Sequence, residues 1–194
     1  MLFEYSGYIS GILVLLAAVP YVIGIFQGHS KPERMAWFIW SALGGISFFS
    51  QMAKGAGASL WLTGFQTLHD LIIFLLAIKY GMGGMLRRDK IALALAVASL
   101  VLWYVTGEAA VALFTVIFAD AIGGVLTIIK TYEHPTTEPL SAWVLTFIAG
   151  LFAIVSVGKF DWILLAYPIY IFVINLAISL TIILGLRREK KVIA

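Results

Sequence analysis

The stretch Leu60 to Tyr80, LWLTGFQTLHDLIIFLLAIKY, puts His69 and Asp70 in the middle of an otherwise apolar run long enough to cross a bilayer. At a rise of ~1.5 Å per residue, Asp70 lies about 15 Å along a helix begun at Leu60, the midplane of a ~30 Å hydrocarbon core. An aspartate at that depth costs roughly 2.5 to 3.5 kcal/mol on insertion scales, so it must face water or a partner and not lipid. Thr63, Gln66, Thr67 and Asp70 follow at i, i+3, i+4 and i+7 and form one polar stripe. The helix therefore has a wet side, which other helices must enclose.

The rest of the chain agrees. Hydrophobic residues make up 62% of its 194 residues and charged residues 12%, and its mean hydropathy is +1.02, the composition of an integral membrane protein. Without cysteine there is no disulfide framework, thiolate zinc site or thiol catalysis. The net charge of +3 is assigned to membrane orientation, and no nucleic-acid partner is expected. The opening MLFEYSG carries an acid and no basic region, so the first apolar segment is expected to be a retained helix and not a cleaved signal.

Seven apolar segments can be marked: Tyr5 to Phe26, Met35 to Met52, Leu60 to Lys79, Ile91 to Thr106, Ala109 to Ile129, Leu140 to Val157 and Trp162 to Leu186. Their connectors are short and leave no room for a soluble domain. With the amino terminus outside, eleven lysines and arginines, Lys31, Arg34, Lys79 and the runs RRDK and RREKK among them, fall inside, against Lys54 and Lys159 outside. That asymmetry predicts the amino terminus out and the carboxyl terminus in, with Trp61 and Trp162 as outer interfacial anchors and Trp37 and Trp143 as inner ones.

A shift of 106 positions reveals an internal repeat. Ala36-Trp37 meets Ala142-Trp143, Ile23 meets Ile129, Gly44 meets Gly150, Ser50 meets Ser156 and His69 meets Asn175, and both flanking loops carry proline and glutamate. Three segments, one unmatched segment and three more divide the chain into a first three-helix repeat (1-82), a linker helix (83-108) and a second three-helix repeat (109-194). The odd linker helix gives both repeats the same orientation. The expected fold is all-α, two parallel three-helix bundles in a 3+1+3 order.

A three-helix repeat duplicated around a linker helix, with Pro20-Tyr21 late in the first helix and the loop GIFQGHSKPERMAWFIW into a Trp-bearing second helix, resembles the SWEET and PQ-loop superfamily over nearly the whole chain. Tyr21 stands where that family has the glutamine of its PQ dipeptide, and the second repeat has Leu126-Thr127 there, with no proline. The resemblance implies alternating access about a cavity between the bundles, Pro20 as a hinge, and His69 and Asn175 pinching a solute at mid-membrane. Both of those positions tend to be asparagine in sugar-carrying relatives. A histidine changes the hydrogen-bonding pattern and can carry a proton, so sugar is not the first expectation.

The residues themselves leave two roles open at each position. His69 either meets a solute or packs with its nitrogens satisfied. Asp120, at the same depth, starts a small-residue face with Gly123, Gly124 and Thr127. With Asp70 it makes either a proton site, since protonation removes the charge that burial penalises, or an interhelical hydrogen bond. Gln66 belongs to the polar stripe. Trp40, Gly44, Ser47 and Gln51 on the second helix, with Thr146, Gly150 and Ala153 on the sixth, form either a cavity wall or a packing seam. Substrate contacts are thus expected from His69, Asn175, Asp70, Asp120, Gln66, Ser47 and Gln51, with Asp70 and Asp120 as candidates for proton coupling.

Absences disfavour other classes. There is no lysine between Trp162 and Leu186 to hold retinal, no serine nucleophile with a recognisable base, and too sparse a ligand set for a metal. The expectation is a multi-pass transporter of a small-molecule solute in the plasma (inner) membrane, with the bilayer as its other partner, no cofactor and no enzymatic activity. A non-transporting receptor or sorting protein on the same fold, of KDEL-receptor type, is the alternative.

Overall fold

The computed structural model describes every residue except 29, 31, 33, 82–86 and 194. His29, Lys31 and Glu33, which entered the loop and charge readings, thus lie outside the described residues, as does the start of the connector MGGMLRRDK. The described residues are helical throughout, with no strand: α1 (Leu2–Phe26), α2 (Arg34–Ala53), α3 (Leu60–Tyr80), α4 (Arg87–Thr106), α5 (Ala109–Glu133), a 3-10 turn (Pro135–Thr137), α6 (Leu140–Ser156) and α7 (Trp162–Ile193). Four stretches, Leu2–Phe26, Leu60–Tyr80, Ala109–Glu133 and Trp162–Glu189, are long and apolar enough to cross a membrane, as suits a multi-pass membrane protein. The apolar part of α4 (Leu93–Thr106) and α6 are shorter.

Burial is inverted relative to a water-soluble bundle. Large apolar side chains such as Leu16, Val19, Phe118, Val125, Val173 and Leu184 point outward, whereas Ser10, Ser47, Gln51, Thr63, Asp70 and Asn175 are buried. Lipid accepts the first set without cost, and the second needs protein or water partners, so polar residues gather inside.

Side chains from neighbouring elements satisfy several helix ends. Arg34 donates Nε to the Ala77 carbonyl at 3.2 Å, which also accepts the Gly81 N–H, and an Nη to the Gly81 carbonyl at 3.4 Å, adding donors where α3 ends. Arg188 does the same for the Glu133 carbonyl of α5 at 3.2 Å. Gly107, at φ +67°, closes α4 through its N–H to the Trp103 carbonyl, a left-handed cap that glycine adopts without strain. Asp161 caps the start of α7, its Oδ1 accepting the N–H groups of Ile163 (3.1 Å) and Leu164 (3.2 Å).

Helix α1 packs against α3 and α6, α2 against α3, α4 and α5, and α7 against α5 and α6. Close approaches are made through small residues: a Cβ on Gly150 would lie 2.7 Å from the Phe172 backbone nitrogen, so α6 and α7 touch backbone to backbone there. Helix α4 buttresses α2 and α5 through Ile39, Leu43, Ala96, Ala112 and Val116. A separate apolar cluster, Val14, Leu62, Leu113, Ala149, Ala153, Tyr167 and Ile171, ties α1, α3, α5, α6 and α7 together near the ends where α3, α5 and α7 begin.

The cap on α7 gives a pH test. The Leu164 N–H, then the Ile163 N–H and Lys159, hold the Asp161 carboxyl below the ordinary aspartate value of 3.8. A depressed folded value means that the stabilisation is complete above that ordinary value and is lost as the pH falls through the folded one. Asp161→Ala is therefore expected to lower the thermal midpoint in detergent at neutral pH, and the gap to the parent should close as the pH falls below the ordinary aspartate value. A gap that persists unchanged in acid would show that the cap is not the cause.

Candidate functional site

A cavity of about 80 Å³ opens at the centre of the bundle, and every helix except α4 supplies part of its wall. By that measure it has room for on the order of six waters or one small solute. Gln66, His69 and Asp70 enter from α3. The Gln66 amide donates Nε2 to Asp70 Oδ1 at 3.0 Å and lies 3.5 Å from His69 Nδ1, which is itself 3.4 Å from Asp70 Oδ1. Across the cavity, Asp120 of α5 accepts the Tyr170 hydroxyl of α7 at 2.7 Å. Asn175 also lines the cavity, with Nδ2 bonded to the Ile171 carbonyl of its own helix at 2.8 Å.

Aromatic rings form much of the remaining wall. Trp37 is the hub: its ring centre lies 5.2 Å from Tyr21, 5.1 Å from Trp40 and 5.6 Å from His69, all edge-on. Tyr21 donates its hydroxyl to Glu138 Oε2, joining α1 to the connector two residues before the start of α6. The glycine pair of α5 is needed for this geometry. Trp40 packs over Gly123, while a Cβ on Gly124 would come within 2.7 Å of Ile174, so the bare backbone lets α7 close in and bring Tyr170 to Asp120.

Three polar atoms of the cavity wall are buried with no hydrogen-bond partner among the described residues: His69 Nε2, Gln66 Oε1 and Trp143 Nε1. Buried polar atoms left unpaired each cost of order 1 to 3 kcal/mol, and their convergence on one cavity is what a site awaiting water or a ligand looks like. Among the described residues no group of three His, Asp or Glu side chains converges as a metal would require.

The structure brings together His69, Asn175, Asp70, Asp120 and Gln66 but leaves Ser47 and Gln51 out of the wall. Gln51 is fully buried and gives Nε2 to Thr63 Oγ1 at 2.8 Å and to the Ser47 carbonyl at 3.2 Å. The polar stripe of α3 thus divides, Thr63 and Thr67 serving α2 while Gln66 and Asp70 serve the cavity. Pro20 sits half-buried in an unbroken α1, one residue before Tyr21. Trp37 and Trp143, expected as interfacial anchors, instead line the cavity, and Trp37 is only 6% exposed; the correction follows from α2 and α6 turning these rings inward. Tyr21, Tyr167 and Tyr170 line the cavity but are not among the solute contacts expected from the sequence, in which Tyr21 is noted only for its place after Pro20. Helical spacing carried the signal for the last two, since Tyr167, Tyr170, Ile174 and Ile178 share one face.

No family model matches the chain, and neither does any curated protein or solved structure. Function has to be read from the cavity itself.

Because the chain has no cysteine, single cysteines report its walls directly. Thr127→Cys, on the wall, should react with a small cationic thiol reagent at least about tenfold faster than Gln51→Cys, which points away from it. Equal rates would mean that the cavity has been drawn on the wrong face of α2.

Proposed function

We propose that the chain is a small-solute membrane transporter of the SWEET and PQ-loop type, working by alternating access around the cavity bounded by His69, Asp70, Asp120 and Asn175. In this reading α1 to α3 and α5 to α7 are parallel repeats joined by α4, with the amino terminus outside and the carboxyl terminus inside a plasma (inner) membrane.

The observation that carries the proposal is the composition of the wall. Under the 106-residue shift Tyr21 pairs with Thr127, Trp37 with Trp143, Trp40 with Thr146 and His69 with Asn175, and all eight residues line the cavity. The packing supports it too. Exchanging α1 with α5, α2 with α6 and α3 with α7 turns the α1·α3 contact into α5·α7, α2·α3 into α6·α7, and α1·α6 into α2·α5, and all six pairs pack together. Two like halves meeting across a polar cavity can rock about it, opening one end as the other closes. At one end the cluster of Val14, Leu62, Leu113, Ala149 and Ala153 is an apolar seal, lying about 10 Å, or seven residues of helix, from His69 and Asp120. At the other, the Tyr21 to Glu138 bond links the halves.

Asp70 and Asp120 also give a reason for proton coupling. An ionised carboxylate is tolerable in a closed cavity only with a cation or a proton, so each closure can carry one of them across. In liposomes loaded with a pH-sensitive dye, a panel of amines, amino acids and sugars should reveal one class whose entry changes internal pH. Asp120→Asn should reduce that proton-linked signal at least about tenfold with solute exchange, though weakened, still measurable; Asp70→Asn is the matched test. Unchanged coupling in both variants would make a facilitated carrier the better account.

Alternation itself is tested by Leu62→Cys, which lies in the seal. It should become reactive to an impermeant thiol reagent from the face opposite to that reaching Thr127→Cys. Labelling from one face only, under all conditions, would favour the receptor alternative.

A further inference from the structure

The chemistry of the same cavity goes further than transport of an unspecified solute. Resting on the transporter reading, we infer that the solute is a small organic cation, an ammonium or guanidinium compound whose charge sits between Asp70 and Asp120 with its carbon skeleton against the tryptophan and tyrosine rings.

Charge balance comes first. Among the described residues the wall contains two carboxylates and no lysine or arginine. The one base among those described residues is His69, 3.4 Å from Asp70, so even a protonated His69 would serve Asp70 and leave Asp120 with the Tyr170 hydroxyl as its hydrogen bond among them. A neutral hydroxyl softens a carboxylate but does not neutralise it. A neutral solute could be enclosed only after both carboxylates had taken up protons, and an anion would add to the charge to be offset, whereas a cation neutralises a carboxylate directly.

The walls then distinguish an organic cation from a metal ion. Sodium or calcium takes a shell of oxygen ligands, and much of this wall is aromatic carbon from Tyr21, Trp37, Trp40, Trp143 and Tyr167. Ring faces and apolar carbon suit an organic cation, which is less strongly hydrated than a divalent metal ion, carries carbon for the rings to pack on and is attracted to tryptophan and tyrosine. The unpaired acceptor Gln66 Oε1 stands ready for an N–H or O–H of such a solute, and the donor Trp143 Nε1 for an oxygen substituent on it. His69, 5% exposed, keeps Nε2 without a partner on the same wall.

Choline and its neutral isostere 3,3-dimethylbutan-1-ol isolate the charge at constant shape, with butane-1,4-diamine as a primary amine, glucose as a neutral polar probe and sodium chloride as the inorganic control. Binding to the purified full-length protein is read from the fluorescence of the cavity tryptophans. Choline, the diamine or both should give a saturable change, at least about tenfold tighter than the isostere and glucose and unmatched by sodium. Asp120→Asn should weaken it at least about tenfold, with an unchanged thermal midpoint in the absence of solute as the check on folding. Equal binding of choline and its isostere, preference for glucose, response to sodium alone, or no response to either cation overturns the inference. Transport is scored separately: if Leu62→Cys and Thr127→Cys still label from opposite faces, the carrier survives with a different solute, and if they label from one face only, the carrier reading falls as well.

Discussion

Asp70 and Asp120 have to be kept from lipid, and much of the interior follows from that constraint. Each carboxylate already has a hydrogen-bond donor from the protein, Gln66 on the same helix for one and Tyr170 on the facing helix for the other. The second arrangement fixes tertiary structure, because Tyr170 reaches Asp120 only if α7 lies close to α5. Gly124 makes room for Ile174 at that crossing, so the absence of one Cβ on α5 and the presence of one carboxylate a turn earlier act together. The outward apolar residues of α1, α5 and α7 are the complement of this design: they give the bundle a surface that costs nothing in lipid, so polar residues can be concentrated on the inner faces.

How much of this was legible follows from what each signal encodes. Apolar runs located the seven α-helices of the described residues, and in four of them the run reaches the hydrocarbon thickness, a one-dimensional constraint that a sequence displays directly. The helices extend past the apolar segments where polar ends continue as helix, as in α4, which begins at Arg87, and α7, which reaches Ile193. His69, Asp70 and Asp120 stood out because ionisable residues in apolar runs are costly, and all three line the cavity. Ser47 and Gln51 misled for a related reason. A polar residue on the inner face of a membrane helix has two ways of being satisfied, by water in a cavity or by a neighbouring helix, and spacing along one helix does not distinguish them. The neighbour took Gln51, through Thr63.

The aromatic wall was harder to see. Tryptophan and tyrosine are at home in lipid interfaces, so Trp37 near a helix start reads as an anchor. What turned it inward is a tertiary fact, the edge-on cluster with Tyr21, Trp40 and His69, whose members come from three helices. The repeat offered a partial clue, because it matched Trp37 with Trp143, and an anchor has less reason to recur at one register than a wall position does.

On the proposed repeat the two halves differ, and the difference falls on the charges. Under the 106-residue shift Asp70 corresponds to Leu176, and Asp120 corresponds to Val14, a fully buried member of the apolar cluster with Leu62 and Leu113. Each half thus contributes one carboxylate, yet at positions that the 106-residue shift does not exchange. A scaffold with two like halves has two nearly equivalent ways of leaning, which is what a reversible transition requires. Unlike charges on like frames remove the equivalence: in one half the position holds a carboxylate that seeks water, and in the other an aliphatic group that excludes it. The two arrangements then differ in how each carboxylate is hydrated, and a proton or cation that neutralises one of them biases the balance between them by its differential affinity. In this reading direction comes from the side chains, and the repeated backbone supplies the motion on which they act.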